Sequence, residues 1–188
     1  MTLKSDIVNF LKRDTTIPRL NFAFKSFRVY PSAYQNDVAD AIDSGAIKLG
    51  GMVKAGAGAS YYMGFDTLDL RPGFSISNSD DQAYLVHECT HAHLDIQNTG
   101  THSSHEDEAT AYIAEAMYLE ALGKPPLGPQ TIRTIAHGIA RGLLAGGYSV
   151  AGADVAALTA EVAANPAYAE PTYDSNGFRR NFFKNWIR

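Results

Sequence analysis

Residues 85–95 read LVHECTHAHLD, and this stretch decides how the rest of the chain is interpreted. His87 and His91 stand four positions apart, so on an α-helix their imidazoles share one face, with Cα atoms about 6 Å apart. Both side chains can therefore reach one cation. Glu88 directly follows the first histidine, where it would lie beside a metal and take the proton of a water held there. The stretch predicts a metal centre with Glu88 as its general base.

The alternative is a helix whose histidines are only solvated or hydrogen-bonded. The sequence AYLV precedes His87, and Ala92 and Leu94 follow His91, so the helix is expected to be largely buried. Polar groups on a buried helix need partners. This context favours a metal over solvated histidines.

A catalytic tetrahedral site needs a third protein ligand and an open position for water. The arrangement H-E-x-x-H-x-x-G-x-x-H is excluded, because Leu94 and Gln97 stand where it requires glycine and histidine. A glutamate from the next helix is then the candidate. The segment SSHEDEATAYIAEAMYLEALG offers Glu106, Glu108, Glu115 and Glu120.

Helix geometry favours one of these glutamates. If the motif helix ends near 97, an antiparallel helix starting near 104 returns to the level of His91 about six residues later, at Glu108. Glu115 would lie roughly 10 Å farther along, behind the ligands or at the surface, and Glu106 would face about 200° away. Glu108 is the predicted third ligand.

Several other polar residues have two interpretations. His102 and His105, beside the turn between the helices, are expected to be solvated more often than metal-bound. Asp95 could accept a hydrogen bond from a ligand imidazole or be a solvated charge at the helix end. Cys89, the single cysteine, is expected to be a small buried group and cannot form an intramolecular disulfide.

Peptide hydrolysis also needs a hydrogen-bond donor for the oxyanion of its tetrahedral intermediate. Sequence leaves the candidates unranked: they are His137, Tyr148, Tyr168 and Tyr173. His137 shares a polar stripe with Arg133 and Arg141, which is typical of a solvent-facing surface.

LVHECTHAHLD followed by DEATAYIAEAMYLEALG resembles the zincin superfamily, specifically small bacterial gluzincin-like metallopeptidases, over about residues 60–122. The resemblance implies that His87, His91 and Glu108 bind Zn²⁺ and that Glu88 is the general base. It also implies that the strand before the motif helix, about SYYMGFDTLDL, is the edge along which an extended peptide substrate lies.

The predicted fold class is α+β, a single zincin-like domain over residues 1–188. A short amphipathic helix with Ser5 as its cap precedes a strand over 20–30 and a helix capped by Ser32 and Gln35. Residues 46–77 predict a small, mostly antiparallel sheet packed on the HExxH helix. The motif helix is expected over about 80–97, capped by Ser79.

The C-terminal half is expected to be helical. Ser103 or Ser104 caps the helix that carries the acidic cluster, and Pro129 opens the next one. An alanine-rich helix follows over 153–164, and a terminal helix is expected over 177–188.

Charge and hydropathy exclude some classes of protein. The net charge of −4 gives no positive field to hold a phosphate backbone, so nucleic acid is not an expected partner. No stretch approaches the roughly 20 apolar residues of a membrane-spanning helix, and the first residues lack the apolar core of a signal peptide. A cytoplasmic location, or export without a cleavable signal, is expected.

The sequence thus predicts a zinc metallopeptidase that hydrolyses peptide bonds of a protein or peptide substrate. Two biological settings follow from the resemblance: a bacterial toxin or effector with a cognate inhibitor or immunity protein, or a cytosolic regulatory protease. The alternative is a non-catalytic binding module on a zincin scaffold, with a structural metal whose fourth ligand is His102 or His105. Oligomeric state and substrate preference do not follow from the sequence.

Overall fold

The computed structural model describes residues 2–53, 57–97, 100–128, 130–168 and 172–175. Six α-helices and seven short strands lie within these ranges. The helices are α1 (Leu3–Arg13), α2 (Ala39–Ser44), α3 (Ser79–Gln97), α4 (Ser104–Ala121), α5 (Thr131–Leu144) and α6 (Gly152–Ala164). The strands are β1 (Phe22–Phe24), β2 (Phe27–Val29), β3 (Lys48–Gly50), β4 (Ala59–Tyr62), β5 (Thr67–Leu70), β6 (Gly100–Ser103) and β7 (Thr172–Ser175). The α+β class is confirmed, and helix predominates.

The N-terminal helix α1 forms as predicted, but its cap is Thr2 instead of Ser5. Thr2 and Ser5 make a reciprocal capping box, in which the Thr2 hydroxyl accepts from the Ser5 N–H and the Ser5 hydroxyl accepts from the Thr2 N–H. Ser5 therefore lies inside the first turn.

The strand predicted over 20–30 is instead a hairpin of β1 and β2. Lys25 has a positive φ of 52°, which turns the chain back between Phe24 and Phe27. Both phenylalanines are buried, so the turn lets aromatic residues from both arms enter the core.

The helix predicted after Ser32 has two parts. Ala33–Val38 forms a widened π-helical segment, and α2 continues from it to Gly45, whose positive φ of 77° ends the helix as expected. The Ser32 side chain makes no capping hydrogen bond, so the predicted capping box with Gln35 is wrong.

The sheet predicted over 46–77 forms, with strand order β3-β5-β4. The expectation of a mostly antiparallel sheet is only partly correct here, because β4 pairs antiparallel with β5 whereas β3 pairs parallel with it. The reason is the strand order: β5 lies in the centre, β4 pairs with it on one side as the preceding strand of a hairpin, and β3 pairs with it on the other side. The other two pairs, β1 with β2 and β6 with β7, are antiparallel and form separate small sheets. The stretch SYYMGFDTLDL, expected as the edge strand, forms two strands: β4 lies at the edge and packs on α3, whereas β5 lies in the centre of the sheet.

Helices α3 and α4 form the centre of the molecule. The α3 cap is Asn78 instead of Ser79, since Asn78 Oδ1 accepts from the Asp80 and Asp81 N–H groups at 2.8 and 3.3 Å. Ser103 caps α4 as predicted, accepting from the Glu106 N–H. Helix α4 also contacts α5 and α6, which explains why apolar residues surround it on all sides.

The last two described helices match the expected pattern. Ile132, Ile139 and Leu143 of α5 are buried, and α6 ends before Asn165, at the predicted stop. Pro129 and the terminal helix predicted over 177–188 lie outside the described residues. Within the described ranges, no helix has the length and apolar character needed to cross a bilayer.

We expect Leu85→Ala to destabilise the fold by about 2–5 kcal/mol, because Leu85 on α3 is fully buried and its loss leaves a cavity. Urea unfolding followed by circular dichroism measures this free energy. Leu3→Ala is the control, since Leu3 on α1 is 39% exposed, and it should cost less than about 1 kcal/mol. Equal costs for the two variants would contradict the placement of α3 at the centre.

Candidate metal centre

His87, His91 and Glu108 come together between α3 and α4. The Nε2 atom of His87 lies 3.5 Å from Glu108 Oε2, and the Nε2 atom of His91 lies 3.7 Å from the same oxygen. One ligand atom from each residue lies within 4.8 Å of the others, and all three side chains are buried. Among the described residues this is the one cluster of histidine, cysteine, aspartate or glutamate that could hold a metal ion.

These separations suit a tetrahedral cation. Ligand atoms about 2.1 Å from a zinc ion and at tetrahedral angles would lie about 3.4 Å apart. The two distances from Glu108 Oε2 to the imidazoles, 3.5 and 3.7 Å, are close to this value. A donor set of two imidazoles and one carboxylate is one that zinc sites in proteins use.

The local sequence explains why these atoms meet. The spacing of four places both histidines on one face of α3. Helix α4 runs antiparallel to α3, with Asp107 and Glu108 opposite His91 and with Glu115 opposite His87. Glu108 therefore occupies the position that helix geometry predicted for it.

A buried carboxylate lies behind each imidazole, on the side away from Glu108. Asp107 Oδ1 makes a short hydrogen bond with His91 Nδ1. Glu115 Oε2 lies 3.3 Å from His87 Nδ1, although the pair is not aligned as a hydrogen bond. Contacts of this kind hold Nδ1 as the protonated nitrogen and leave Nε2 free to bind a metal.

Glu115 is in turn paired with a cation from α5. Arg133 Nε donates to Glu115 Oε1 at 2.6 Å, and Arg133 Nη2 donates to Oε2 at 3.4 Å. The guanidinium packs over the rings of Tyr84 and Tyr112, 5.8 and 5.3 Å from their centroids. The charge of Glu115 is therefore balanced within the core.

Glu88 lies beside the three candidate ligands, with its carboxylate turned toward the edge strand β4. Its Oε2 accepts from the Tyr61 N–H at 2.7 Å. Burial raises the pKa of the Glu88 carboxyl, and the imidazoles of His87 and His91 oppose that rise. The carboxyl is thus fixed in position next to the cluster without belonging to it.

The carboxylates change the basicity of the histidines. Burial disfavours a charged His91, but Glu108 and Asp107 outweigh burial and raise its pKa to about 9. Burial acts in the same way on His87, and Glu108 and Glu115 hold its pKa well above the ordinary range. A cation that binds between the imidazoles must therefore displace protons, and the negative charge that attracts the protons also attracts the cation.

A cavity of about 1060 Å³ opens onto this cluster. Its walls include strand β4, the following segment up to Phe65, and residues after α6, among them Tyr168. The Tyr168 and Tyr112 hydroxyls are 2.5 Å apart. Burial and the nearby charge of Glu108 raise the pKa of the Tyr168 phenol, which therefore keeps its proton.

The other candidate residues are placed elsewhere. Asp95 is buried and accepts from the Tyr61 hydroxyl at 3.0 Å, so it is not a solvated charge at the helix end. His105 Nε2 contacts the Tyr168 carbonyl oxygen at 3.0 Å, and His102 Nε2 contacts Asp107. Cys89 is buried and makes no disulfide, as expected.

The expected solvent-facing stripe on α5 is wrong for two of its three members. His137 is buried and contacts Glu120, and Arg133 is drawn inward by Glu115. Only Arg141 is largely exposed, although it too reaches Glu120. The reason is that α5 packs this side against α4, whose glutamates supply the counter-charges.

The sequence interpretation missed the roles of Asp107 and Arg133. Asp107 had a signal, since it precedes the predicted ligand Glu108 on the same helix. Applying the antiparallel register to both histidines would also have placed Glu115 opposite His87. Arg133 had no such signal, because its partner depends on how α5 packs.

Comparisons of the chain with protein-family models, curated proteins and solved structures found no match. The interpretation of the site therefore depends on its own geometry.

We expect the protein to bind one equivalent of a divalent cation, and Glu108→Ala to weaken that binding more than about 100-fold, because a direct ligand is lost. Competition with a chromophoric chelator, with Zn²⁺ as the titrant, measures the affinity. Glu106→Ala is the matched control, since Glu106 lies on the same helix but pairs with Lys25. A similar loss in both variants would contradict the assignment of Glu108.

Proposed function

We propose that this protein is a zinc-dependent metallopeptidase that hydrolyses peptide bonds of a protein or peptide substrate. The observation that carries the proposal is the position of Glu88. It adjoins a buried group of two imidazoles and a carboxylate that could hold a metal, and it faces a cavity bounded by an edge strand. The zincin-like scaffold and the identity of the metal as zinc both belong to this proposal.

The chain supplies the groups that the reaction needs. A Zn²⁺ ion held by His87, His91 and Glu108 would act as a Lewis acid that polarises the scissile carbonyl and activates a water molecule. Glu88 takes a proton from the attacking water and passes it to the leaving amine. The Tyr61 N–H holds the Glu88 carboxylate in place for both transfers.

The edge strand β4 supports a peptide substrate. Gly58 accepts from the Arg71 N–H on the side of β5. Because backbone groups alternate in an antiparallel pair, those of Ala59 and Tyr61 point away from β5. The Tyr61 N–H donates to Glu88, so the Ala59 groups and the Tyr61 carbonyl are the ones that face the open edge. An extended peptide adding to this edge would lie along the cavity, past Glu88.

Tyr168 is the best placed of the candidate oxyanion donors whose side chains the structure describes. It lines the cavity and has a protonated phenol close to Glu108. His137 contacts Glu120 and does not line the cavity. Tyr148 is 48% exposed and does not line the cavity either. The Tyr173 side chain lies outside the described part of the structure.

A catalytic role is favoured over a structural metal. A structural zinc site fills its fourth position with protein, and the sequence offers either His102 or His105 for that position. The Nε2 atoms of these two histidines contact Asp107 and the Tyr168 carbonyl. Among the described residues the group therefore has three members, which leaves one position for water or substrate.

The biological setting stays a proposal by resemblance. The protein would serve either as a bacterial toxin or effector, with a cognate inhibitor or immunity protein, or as a cytosolic regulatory protease. A toxin that acts inside cells should stop growth when expressed in a sensitive host, and Glu88→Gln should remove that effect.

We expect Glu88→Gln to lower the rate of peptide hydrolysis by about 10²–10⁴-fold, because an amide cannot accept the proton. Its zinc affinity should stay within about threefold of wild type, since Glu88 is not a ligand. Cleavage of a fluorogenic peptide library and the chelator competition measure the two quantities. Asp80→Asn, at an exposed position of the same helix, should change neither. Undiminished hydrolysis by Glu88→Gln would remove Glu88 from the mechanism.

A further inference from the structure

Behind the metal centre, three side chains form a buried chain of contacts. His91 Nδ1 hydrogen-bonds to Asp107 Oδ1, and Asp107 Oδ2 lies 2.7 Å from His102 Nε2. Asp107 is fully buried, and 11% of the His102 side chain is exposed. The Asp107 carboxylate therefore bridges the imidazoles of His91 and His102. Of these two imidazoles, only that of His91 faces Glu108.

The bridging carboxylate has a specific orientation to maintain. A side chain that bonds through one oxygen alone can rotate about its last torsion, which is broad for a carboxylate. The contact with His102 fixes the second oxygen, so Asp107 presents Oδ1 toward His91 in one orientation. The imidazole plane of His91 and the direction of its Nε2 depend on that orientation.

His102 is itself held by the fold. It lies on β6, opposite Tyr173 in the pairing with β7. Its ring packs edge-on against Phe27, with centroids 5.6 Å apart, and its Nδ1 lies 3.4 Å from the Gly100 carbonyl oxygen. Both ring nitrogens thus face oxygen acceptors, and the hydrogen bond with Asp107 is the main cause that raises the pKa of His102.

We infer that His102 is a positioning residue for the metal centre: through Asp107 it orients His91 and thereby raises the affinity for the cation. The inference rests on the proposed metal centre and assigns His102 a function other than ligation. The direction of its Nε2, toward Asp107 and not toward Glu108, separates this function from that of a fourth ligand.

The experiment measures Zn²⁺ affinity by chelator competition in the full chain. We expect His102→Ala to weaken binding about tenfold, in the range that loss of a group behind a ligand produces. His102→Gln should stay within about threefold of wild type, because its amide nitrogen can donate to Asp107 from a similar distance. His105→Ala is the matched control, because His105 also lies near the start of α4 but contacts a backbone carbonyl. The zinc affinity of this variant should match that of wild type.

A double-mutant cycle tests whether His102 acts through Asp107. In an Asp107→Asn background, His102→Ala should weaken zinc binding less than twofold further. If His102 had a purely structural role, His102→Ala would instead weaken zinc binding by the same factor in the wild-type and Asp107→Asn backgrounds. The absorption spectrum of the Co²⁺-loaded protein gives a second readout, since a reoriented His91 should shift the d–d bands in His102→Ala but not in His105→Ala.

The outcomes separate the two proposals. Equal zinc affinities of wild type and His102→Ala would overturn the function assigned to His102 while leaving the metal centre in place. Additive effects in the double-mutant cycle would also overturn it. If wild-type protein takes up no metal, the metal centre and the proposed hydrolysis fail together. If wild type and Glu88→Gln both bind zinc normally but wild type hydrolyses no peptide, only the enzymatic proposal is removed.

Discussion

The structure depends on burying an ionisable cluster between two antiparallel helices. Asp107, Glu108 and Glu115 of α4 are all buried, and the charge of an unpaired carboxylate at such a depth would be costly. The face of α3 that carries His87 and His91 supplies the partners. The pairing of α3 with α4 therefore fixes both the core of the molecule and the geometry of the site.

The cluster is arranged so that each carboxylate contacts a particular atom. Glu108 meets the Nε2 atoms of both histidines, whereas Asp107 and Glu115 lie at the opposite nitrogen of one histidine each. Because these contacts come from one helix, its regular rise sets their spacing. The result is a group of three buried donor atoms within 4.8 Å of one another, with further carboxylates around it whose negative charge attracts a cation.

The rest of the fold determines what can reach that place. Strand β4 forms one wall of the cavity and is tied to the site through the hydrogen bond between Tyr61 and Glu88. The segment after α6 forms another wall and is tied to α4 through Tyr168. The opening to the site therefore lies between a sheet edge and a loop, both of which contact the helices that carry the candidate ligands.

Local sequence determined much of this protein. The spacing of four in H-E-x-x-H fixes the histidine pair on one helix face, and the length of the turn fixes Glu108 opposite His91. Helices α1, α3 and α4 were predicted in type and approximate place, although the caps at Ser5 and Ser79 were one to three residues off, because Thr2 and Asn78 accept the hydrogen bonds instead. The pairing of β6 with β7 was not predicted, since the chain after Ser77 was expected to be helical.

Only the tertiary structure decided the contacts between residues distant in sequence. The parallel pairing of β3, the inward turn of Arg133 and the bridge from His102 to His91 depend on how separate elements pack. Periodicity reports which face of an element is buried, but not which element covers it. The sequence therefore identified the groups that could hold a metal, while packing decided which groups orient them.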